Sequence, residues 1–220
     1  MTWKRARSDE QKEIRLNQII EATIALYETV PYDQITLAGI AKKLDFTRAN
    51  LYKYVSSKED IFIKIIERDG KRWVEELIER FEEKSNISFE EFAILWAETM
   101  MNHQRLIGLY SILYSVIEKG VRPEKLAPFK MSFIHEFKIV YSIIALQLPS
   151  LTYEDIDVFL NMQLFFAMGL YPATIEHENQ KEAMEILDIE YRPPDFIQMF
   201  SRFVLFAIKG LASESENAIP

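Results

Sequence analysis

The sequence predicts an all-α protein, and three observations support that fold class. Only six of the 220 residues are glycine, while 49% are hydrophobic. Apolar residues recur at helical spacing, whereas the regular alternation typical of a half-buried strand is rare. Several periodic stretches open on Ser or Thr followed three residues later by an acidic residue, as helix N-termini do. This length suits one large domain or two small ones that share a helix.

The N-terminal region predicts one long helix followed by a short one. The long helix should run from about Ser8 to Val30, because an apolar stripe at helical spacing runs through it, and Pro31 should end it. Thr36 occupies the N-cap position of the second helix. The apolar positions of this second helix share one face: Leu37, Ile40, Ala41 and Leu44.

A tight turn at residues 45–47 should separate the second helix from a third. Asp45 tolerates the left-handed backbone of such a corner, and Thr47 can cap a helix that runs through Val55. Leu51 and Val55 should point inward. The outward positions are Arg48, Ala49, Asn50, Tyr52, Lys53 and Tyr54. Donors, aromatics and one small residue suit phosphates and base edges, so the pattern predicts a helix-turn-helix that binds the major groove of double-stranded DNA.

Particular contacts follow from side-chain chemistry. Arg48 is the candidate for reading a base, because a guanidinium can bond guanine O6 and N7 together, and Asn50 can reach a base or a phosphate. Thr36, Thr47 and Lys58 stand at helix N-termini, where backbone N–H groups and the helix dipole favour an anion. Tyr52 has an alternative role, packing against the first helix, and the two roles are compatible.

The charge distribution agrees with a DNA-binding N-terminal end. The chain carries −8 overall, but residues 1–58 hold ten Lys or Arg and seven Asp or Glu, a net +3, which leaves −11 elsewhere. This polarity orients the basic end toward nucleic acid. The alternative is an ordinary acidic protein with a locally basic end. Three further cations form either an arm that reaches an adjacent groove or a solvated tail: Lys4, Arg5 and Arg7.

The rest of the chain predicts a second helical domain. Caps, prolines and periodicity predict helices at about 57–80, 88–101, 104–117, 123–148, 152–171, 180–187 and 195–211. The predicted domains are 1–56 for DNA binding and 57–212 for effector binding and dimerisation, followed by a frayed tail at 213–220.

The helices predicted near 156–168 and 196–208 are apolar on all sides, and such helices must be buried on all sides. We therefore expect a homodimer in which these two helices of each subunit form a four-helix bundle; the alternative is that both are central helices of a monomer. The predicted interface residues are Phe159, Met162, Phe166, Phe196, Phe200, Phe203 and Val204.

Four segments resemble the N-terminal domain of TetR-type transcriptional regulators: IEATIALY at 20–27, ITLAGIA at 35–41, LYKYV at 51–55 and SKEDIF at 57–62. Asp45 stands where that family usually has Gly, and Val55 where an aromatic residue is common. The resemblance implies a DNA-binding domain joined to a helical ligand-binding and dimerisation domain. It also implies that Ala49 allows close approach to the duplex, and that three neighbouring residues meet the backbone or base edges: Tyr52, Lys53 and Tyr54.

The resemblance further implies a small effector. The C-terminal region is rich in aromatic residues and Met, which suits an apolar or aromatic compound. The candidate effector residues are Trp96, Met100, His103, Tyr110, Tyr114, Phe133, Phe137, Phe165 and Phe166. Ordinary core packing is the alternative role for each of them. We expect a repressor that leaves its operator DNA when the effector binds, although a corepressor effect is also compatible with the sequence.

Other functional classes receive less support from the sequence. The three histidines lack metal-site spacing, and neither a Gly-rich phosphate loop nor a nucleophile elbow occurs, so we expect no enzyme and no cofactor. The N-terminus lacks the apolar region of a signal peptide, and no apolar run is expected to approach membrane-spanning length, which predicts a cytoplasmic protein without a membrane partner. The alternative function is a helical scaffold or a nucleoid-type DNA-binding protein without a small-molecule effector.

Overall fold

The computed structural model describes residues 2–82, 84 and 87–217, and describes side chains for residues 10–82, 84 and 87–214. Over these residues the regular structure is helical, which confirms the all-α prediction. The α-helices are α1 (Thr2–Tyr27), α2 (Leu37–Lys43), α3 (Arg48–Leu51), α4 (Lys58–Glu82), α5 (Phe89–Asn102), α6 (Gln104–Ile112), α7 (Pro123–Gln147), α8 (Tyr153–Ala173), α9 (Glu178–Ile186) and α10 (Phe196–Asn217).

Several boundaries differ from the sequence-based expectation. Helix α3 ends at Leu51 and continues to Tyr54 only as turns, in which N–H groups bond carbonyls three residues back. Helix α6 ends at Ile112 and is followed by a π-helical turn, Leu113–Ile117, and a 3-10 turn, Glu118–Gly120. Helix α10 extends to Asn217, so part of the predicted frayed tail is helical, and residues 218–220 lie outside the described residues.

The chain forms two compact units that do not follow sequence order. One unit combines residues 1–68 with 113–132, and the other combines residues 69–112 with 133–220. Helices α4 and α7 therefore each contribute residues to both units. The predicted functional boundary after residue 56 concerns which residues bind DNA, and it stays a prediction.

The first unit has its own apolar core beneath the helix-turn-helix. Ile19 of α1, Ile40 of α2 and Leu51 of α3 are buried, together with the α4 residue Phe62. The Phe62 ring contacts Tyr27 edge-on, with the ring centroids 5.6 Å apart. This packing confirms the predicted inward faces of α2 and α3, and it fixes those short helices on two long ones.

The second unit is built around an aromatic cluster. Helix α10 packs against α5 and α8. Trp96 of α5 stacks on Phe92 with ring centroids 5.4 Å apart and meets Phe159 of α8 edge-on at 5.6 Å. The Trp96 indole donates to Gln163 Oε1 at 3.1 Å, so the polar atom of this buried ring has a partner. Aromatic burial of this kind is a large part of core stability.

Helices α8 and α10 are long and apolar enough to cross a membrane by length and composition alone, with windows of mean hydropathy 1.2 in α8 and 1.3 in α10. This corrects the expectation that no run would approach such a length. Core helices of globular proteins meet the same criterion, and these two helices pack together in the second unit. The unit buries 39% of the α8 window and 28% of the α10 window, so packing within the unit accounts for part of their apolar composition.

Candidate nucleic-acid interface

The two short helices of the helix-turn-helix begin at threonine caps, as predicted. Thr36 Oγ1 accepts a hydrogen bond from the Gly39 N–H at 3.1 Å, and Thr47 Oγ1 accepts one from the Asn50 N–H at 3.2 Å. A side-chain cap satisfies one of the backbone donors that a helix leaves unpaired at its start. Both hydroxyl oxygens therefore have a structural role in addition to the predicted contact with DNA.

The turn between α2 and α3 has the predicted left-handed residue. Asp45 has φ of 55°, a region that L-residues with short polar side chains visit more readily than others. Behind it, Leu51 and Val55 are buried and anchor the inner side of the segment. The Arg15 guanidinium lies 5.5 Å from the centre of the Phe46 ring, a cation–π contact that holds the turn against α1.

The outer face of residues 47–54 is exposed to solvent. The exposed side chains are Thr47, Arg48, Ala49, Asn50, Tyr52 and Lys53, and Tyr54 is half-buried. Tyr52 is 58% exposed, so more than half of its surface is available to a ligand. Lys53 Nζ donates to Asn50 Oδ1 at 3.2 Å, which joins these two side chains across one turn.

Lys58 is placed differently from the other predicted contacts. Its ammonium donates to the Tyr32 carbonyl at 2.7 Å and lies 4.1 Å from the centre of the Tyr32 ring. A phosphate would have to share this ammonium with Tyr32. Burial raises the pKa of Tyr32, and the charge and hydrogen bond of Glu59 raise it further. The Tyr32 hydroxyl therefore stays protonated and donates to Glu59 Oε1 at 3.0 Å.

The predicted N-terminal arm falls within the first turns of α1. The side chains of Lys4, Arg5 and Arg7 lie outside the described residues. Two further exposed cations do lie on α2, Lys42 and Lys43, beside the single exposed carboxylate of the turn, Asp45. Within the residues described, no group of three or more metal-binding side chains is clustered.

Two short capped helices, a left-handed turn between them and an exposed polar face held from behind by Leu51 and Val55 are the arrangement of helix-turn-helix DNA-binding proteins. Family comparisons agree with this class. The model described as "Bacterial regulatory proteins, tetR family" matches residues 19–65, and the model described as "Tetracyclin repressor-like, C-terminal domain" matches residues 67–215. The chain belongs to the TetR family of transcriptional regulators, whose members are generally non-enzymatic DNA-binding proteins.

Solved structures share the fold at low sequence identity. A TetR/AcrR-family transcriptional regulator from Thermobifida fusca YX-ER1 is 20% identical with a TM-score of 0.50, and the match covers 87% of this chain and 96% of that one. The fatty acid degradation regulator FadR from Bacillus halodurans is 14% identical with a TM-score of 0.55, covering 86% and 94%. A search of curated proteins gives no significant match.

The predicted effector residues are spread over both units, and their role in effector binding stays a prediction. Trp96, Met100 and Tyr110 are buried in the second unit, while Tyr114 belongs to the first. The His103 ring bonds Glu76 Oε2 at 2.9 Å. Phe165 is exposed on α8, and the neighbouring Phe166 stacks on Phe203. His103 lines one cleft of the second unit, and Phe133 and Phe137 line a separate, less polar one.

This cleft lies between α7 and α8 and has a volume of about 560 Å³. Its walls carry two aromatic pairs: Phe133 and Phe137 with ring centroids 4.5 Å apart, and Tyr141 and Tyr153 at 4.8 Å. The other lining residues are Ile134, Lys138, Ser142, Asp157, Leu160 and Asn161. The sequence analysis missed most of this lining, because its residues come from two different helices that only the fold brings together.

The predicted dimer-interface residues divide between the core and the surface. Four of them, Phe159, Phe196, Phe200 and Val204, are buried within their own unit and cannot meet a partner directly, which corrects the predicted set. Met162 is exposed, whereas Phe166 and Phe203 are half-buried and stack with ring centroids 4.0 Å apart. Each of the two helices has apolar residues on both its core side and its outer side, so apolar composition alone does not distinguish the two sides.

Proposed function

We propose that this transcriptional regulator is a homodimeric, cytoplasmic repressor that binds operator DNA through residues 47–54 and is released by a small, largely apolar ligand. The observation that carries the proposal is the exposed polar face of this segment, with Leu51 and Val55 holding it from behind. Side chains that a folded core does not use are available for phosphates and base edges.

Charge reversal tests the DNA-binding surface. Wild type should bind a random-sequence duplex with an affinity that falls steeply as salt rises, because cations replace counterions on phosphates. Arg48→Glu combined with Lys53→Glu should abolish this binding. The measurement is fluorescence anisotropy of a labelled duplex over a salt series.

The matched control makes the same change of net charge elsewhere. Lys181 and Arg192 are exposed residues of the second unit, and their replacement by glutamate should leave binding nearly unchanged. Equal loss of DNA affinity in both double variants would mean that overall charge governs binding. Unchanged affinity in the variant with Arg48→Glu and Lys53→Glu would exclude this face as the DNA contact.

The homodimer is supported by two apolar seams with the same spacing. Each seam contains three apolar residues and a glycine at intervals of four, three and four residues, which keeps them on one helix face. The seams are Val158, Met162, Phe165 and Gly169 on α8, and Met199, Phe203, Phe206 and Gly210 on α10. A Cβ atom at either glycine would have nothing within 4 Å, so a second pair of helices can approach closely there.

The effector part of the proposal is supported by the α7/α8 cleft. Its volume lies in the usual range for small-molecule sites, and its aromatic walls suit an apolar or aromatic compound. Lipophilic compounds that raise the melting temperature should lose that effect in Phe137→Ala and keep it in Ile186→Ala, which truncates an exposed residue of α9. Equal shifts in both variants would place the ligand elsewhere.

The alternative is a nucleoid-type protein without an effector, or a helical scaffold. A nucleoid-type protein would bind all duplexes with similar affinity, because phosphate contacts carry no sequence information. A scaffold would not bind DNA at all. Selection of duplexes from a random-sequence library separates the three: only the proposed regulator enriches one sequence.

A further inference from the structure

Residues 120–125 lie against the start of α4 in the first unit, although about 60 residues separate them in sequence. They fall in the region that the C-terminal family model matches, outside the N-terminal model. The contact therefore joins the loop after the recognition segment to a part of the chain that sequence analysis assigned to another domain.

Asp60 is the centre of this contact. It is 4% exposed, and its Oδ2 accepts the Ser56 N–H at 2.7 Å and a hydrogen bond from the Lys125 ammonium. Lys125 Nζ also donates to Ser56 Oγ at 3.2 Å. One buried carboxylate thus binds both the backbone of the recognition loop and a cation from the start of α7, and charge-assisted bonds of this kind are the strong ones.

Two further contacts fix the same loop. Arg122 Nη2 donates to Ser56 Oγ at 3.0 Å, and Ser57 Oγ donates to the Gly120 carbonyl at 3.4 Å. The backbone approach at Gly120 is close, since a Cβ there would lie 2.5 Å from Glu59 Cγ. Ser56 directly follows Val55, the buried residue that anchors the end of the recognition segment. The orientation of that segment is therefore tied to residues 120–125.

We propose that Lys125, acting through Asp60 and Ser56 and assisted by Arg122, is a positioning residue for DNA recognition that need not touch DNA itself. The proposal rests on the proposed DNA-binding face. Its physical basis is preorganisation: base reading requires the recognition segment at a fixed angle, and freeing the loop adds an ordering cost to specific binding. Binding to phosphates alone tolerates a range of angles and is less affected.

The test compares Lys125→Met with wild type on a duplex selected from random-sequence DNA and on a random duplex, over a salt series. We expect about a tenfold loss of specific affinity, the equivalent of one charge-assisted hydrogen bond, with little change on the random duplex and an unchanged salt slope. Lys125→Arg should restore most of the affinity. Lys119→Met, which removes an exposed lysine just before residues 120–125, is the control and should behave like wild type.

Other outcomes overturn the proposal. A salt slope reduced by about one, with equal loss on both duplexes, would make Lys125 a phosphate contact. Unchanged specific affinity with only a lower melting temperature would leave it a purely structural residue. If Lys125→Met does not fold, Arg122→Gln removes one bond to Ser56 while keeping the Asp60 pair, and it should show a smaller loss with the same pattern.

Failure of this proposal is distinguishable from failure of the proposed function. If wild type binds the selected duplex and Arg48→Ala weakens it, while Lys125→Met does not, only the positioning role is wrong. If wild type selects no duplex, the DNA-binding function itself is wrong, and with it the positioning role.

Discussion

Replacing Phe206 with glutamate should dissociate the proposed dimer. Phe206 is 60% exposed in the single chain, and complete burial of such a side chain contributes up to about 3 kcal/mol. A partner that covers the remaining area would then gain about 2 kcal/mol from each copy, or about 4 kcal/mol for the two. That loss corresponds to roughly a thousandfold weaker self-association, before the cost of burying a carboxylate is added.

Sedimentation velocity over a concentration series measures this effect. Wild type should be dimeric at micromolar concentration, and Phe206→Glu should be monomeric there. The control is Ile186→Glu, since Ile186 is also apolar and is 84% exposed but lies on α9, away from the two seams. A dimer of unchanged affinity in Phe206→Glu, or a monomeric wild type, would refute the reasoning from exposed area.

Three further predictions concern the folded state of the chain. Thr47→Ala should cost about 1 kcal/mol of unfolding free energy in urea, because the Asn50 N–H loses its cap, and a value near zero would contradict that role. Trp96→Phe should lower the unfolding free energy by about 1–3 kcal/mol in addition to the cost of the lost side-chain volume, because Gln163 Oε1 is left buried without its donor. Adding Gln163→Leu to Trp96→Phe should recover part of that unfolding free energy, as measured by urea denaturation. Burial acts to raise the pKa of Asp60, but hydrogen bonds from Lys125 and from the Ser56 backbone hold it below its ordinary 3.8, so the ionised carboxylate stabilises the fold fully above the unfolded-state pKa and loses this effect as pH falls through the folded-state pKa. The unfolding free energies of wild type and Asp60→Asn should therefore converge on acidification. A difference between them that does not change with pH would contradict this role of Asp60.

Local sequence signals were sufficient for the helix-turn-helix. Thr36 and Thr47 cap their helices and Asp45 takes the left-handed turn, because each of these features depends on side chains within three residues. Caps and turns are short-range chemistry, and a single sequence contains all of it. The predicted α3 is longer than the observed one, since Ser56 is bound by Asp60 and the backbone tightens into turns before that point.

Contacts between distant segments were beyond the sequence analysis. Asp60 looked like part of an ordinary capped helix start, and its bond to Lys125 depends on where the chain returns after α6. The same limit applies to α8 and α10. Apolar residues surround both helices, so periodicity could not say that Phe159 and Phe200 face the core while Met162 and Phe206 face outward. Only the packing of α10 on α5, and of α8 on α6 and α10, distinguishes the two sides.

The most direct test of the central claim, that residues 47–54 read DNA, is the affinity of Arg48→Ala for a selected duplex and for each of its single-base variants. Loss of a bidentate base contact should weaken binding to the selected duplex by about 1–3 kcal/mol and remove discrimination at one base pair in each half-site. Affinity and discrimination equal to wild type at every position would contradict the claim.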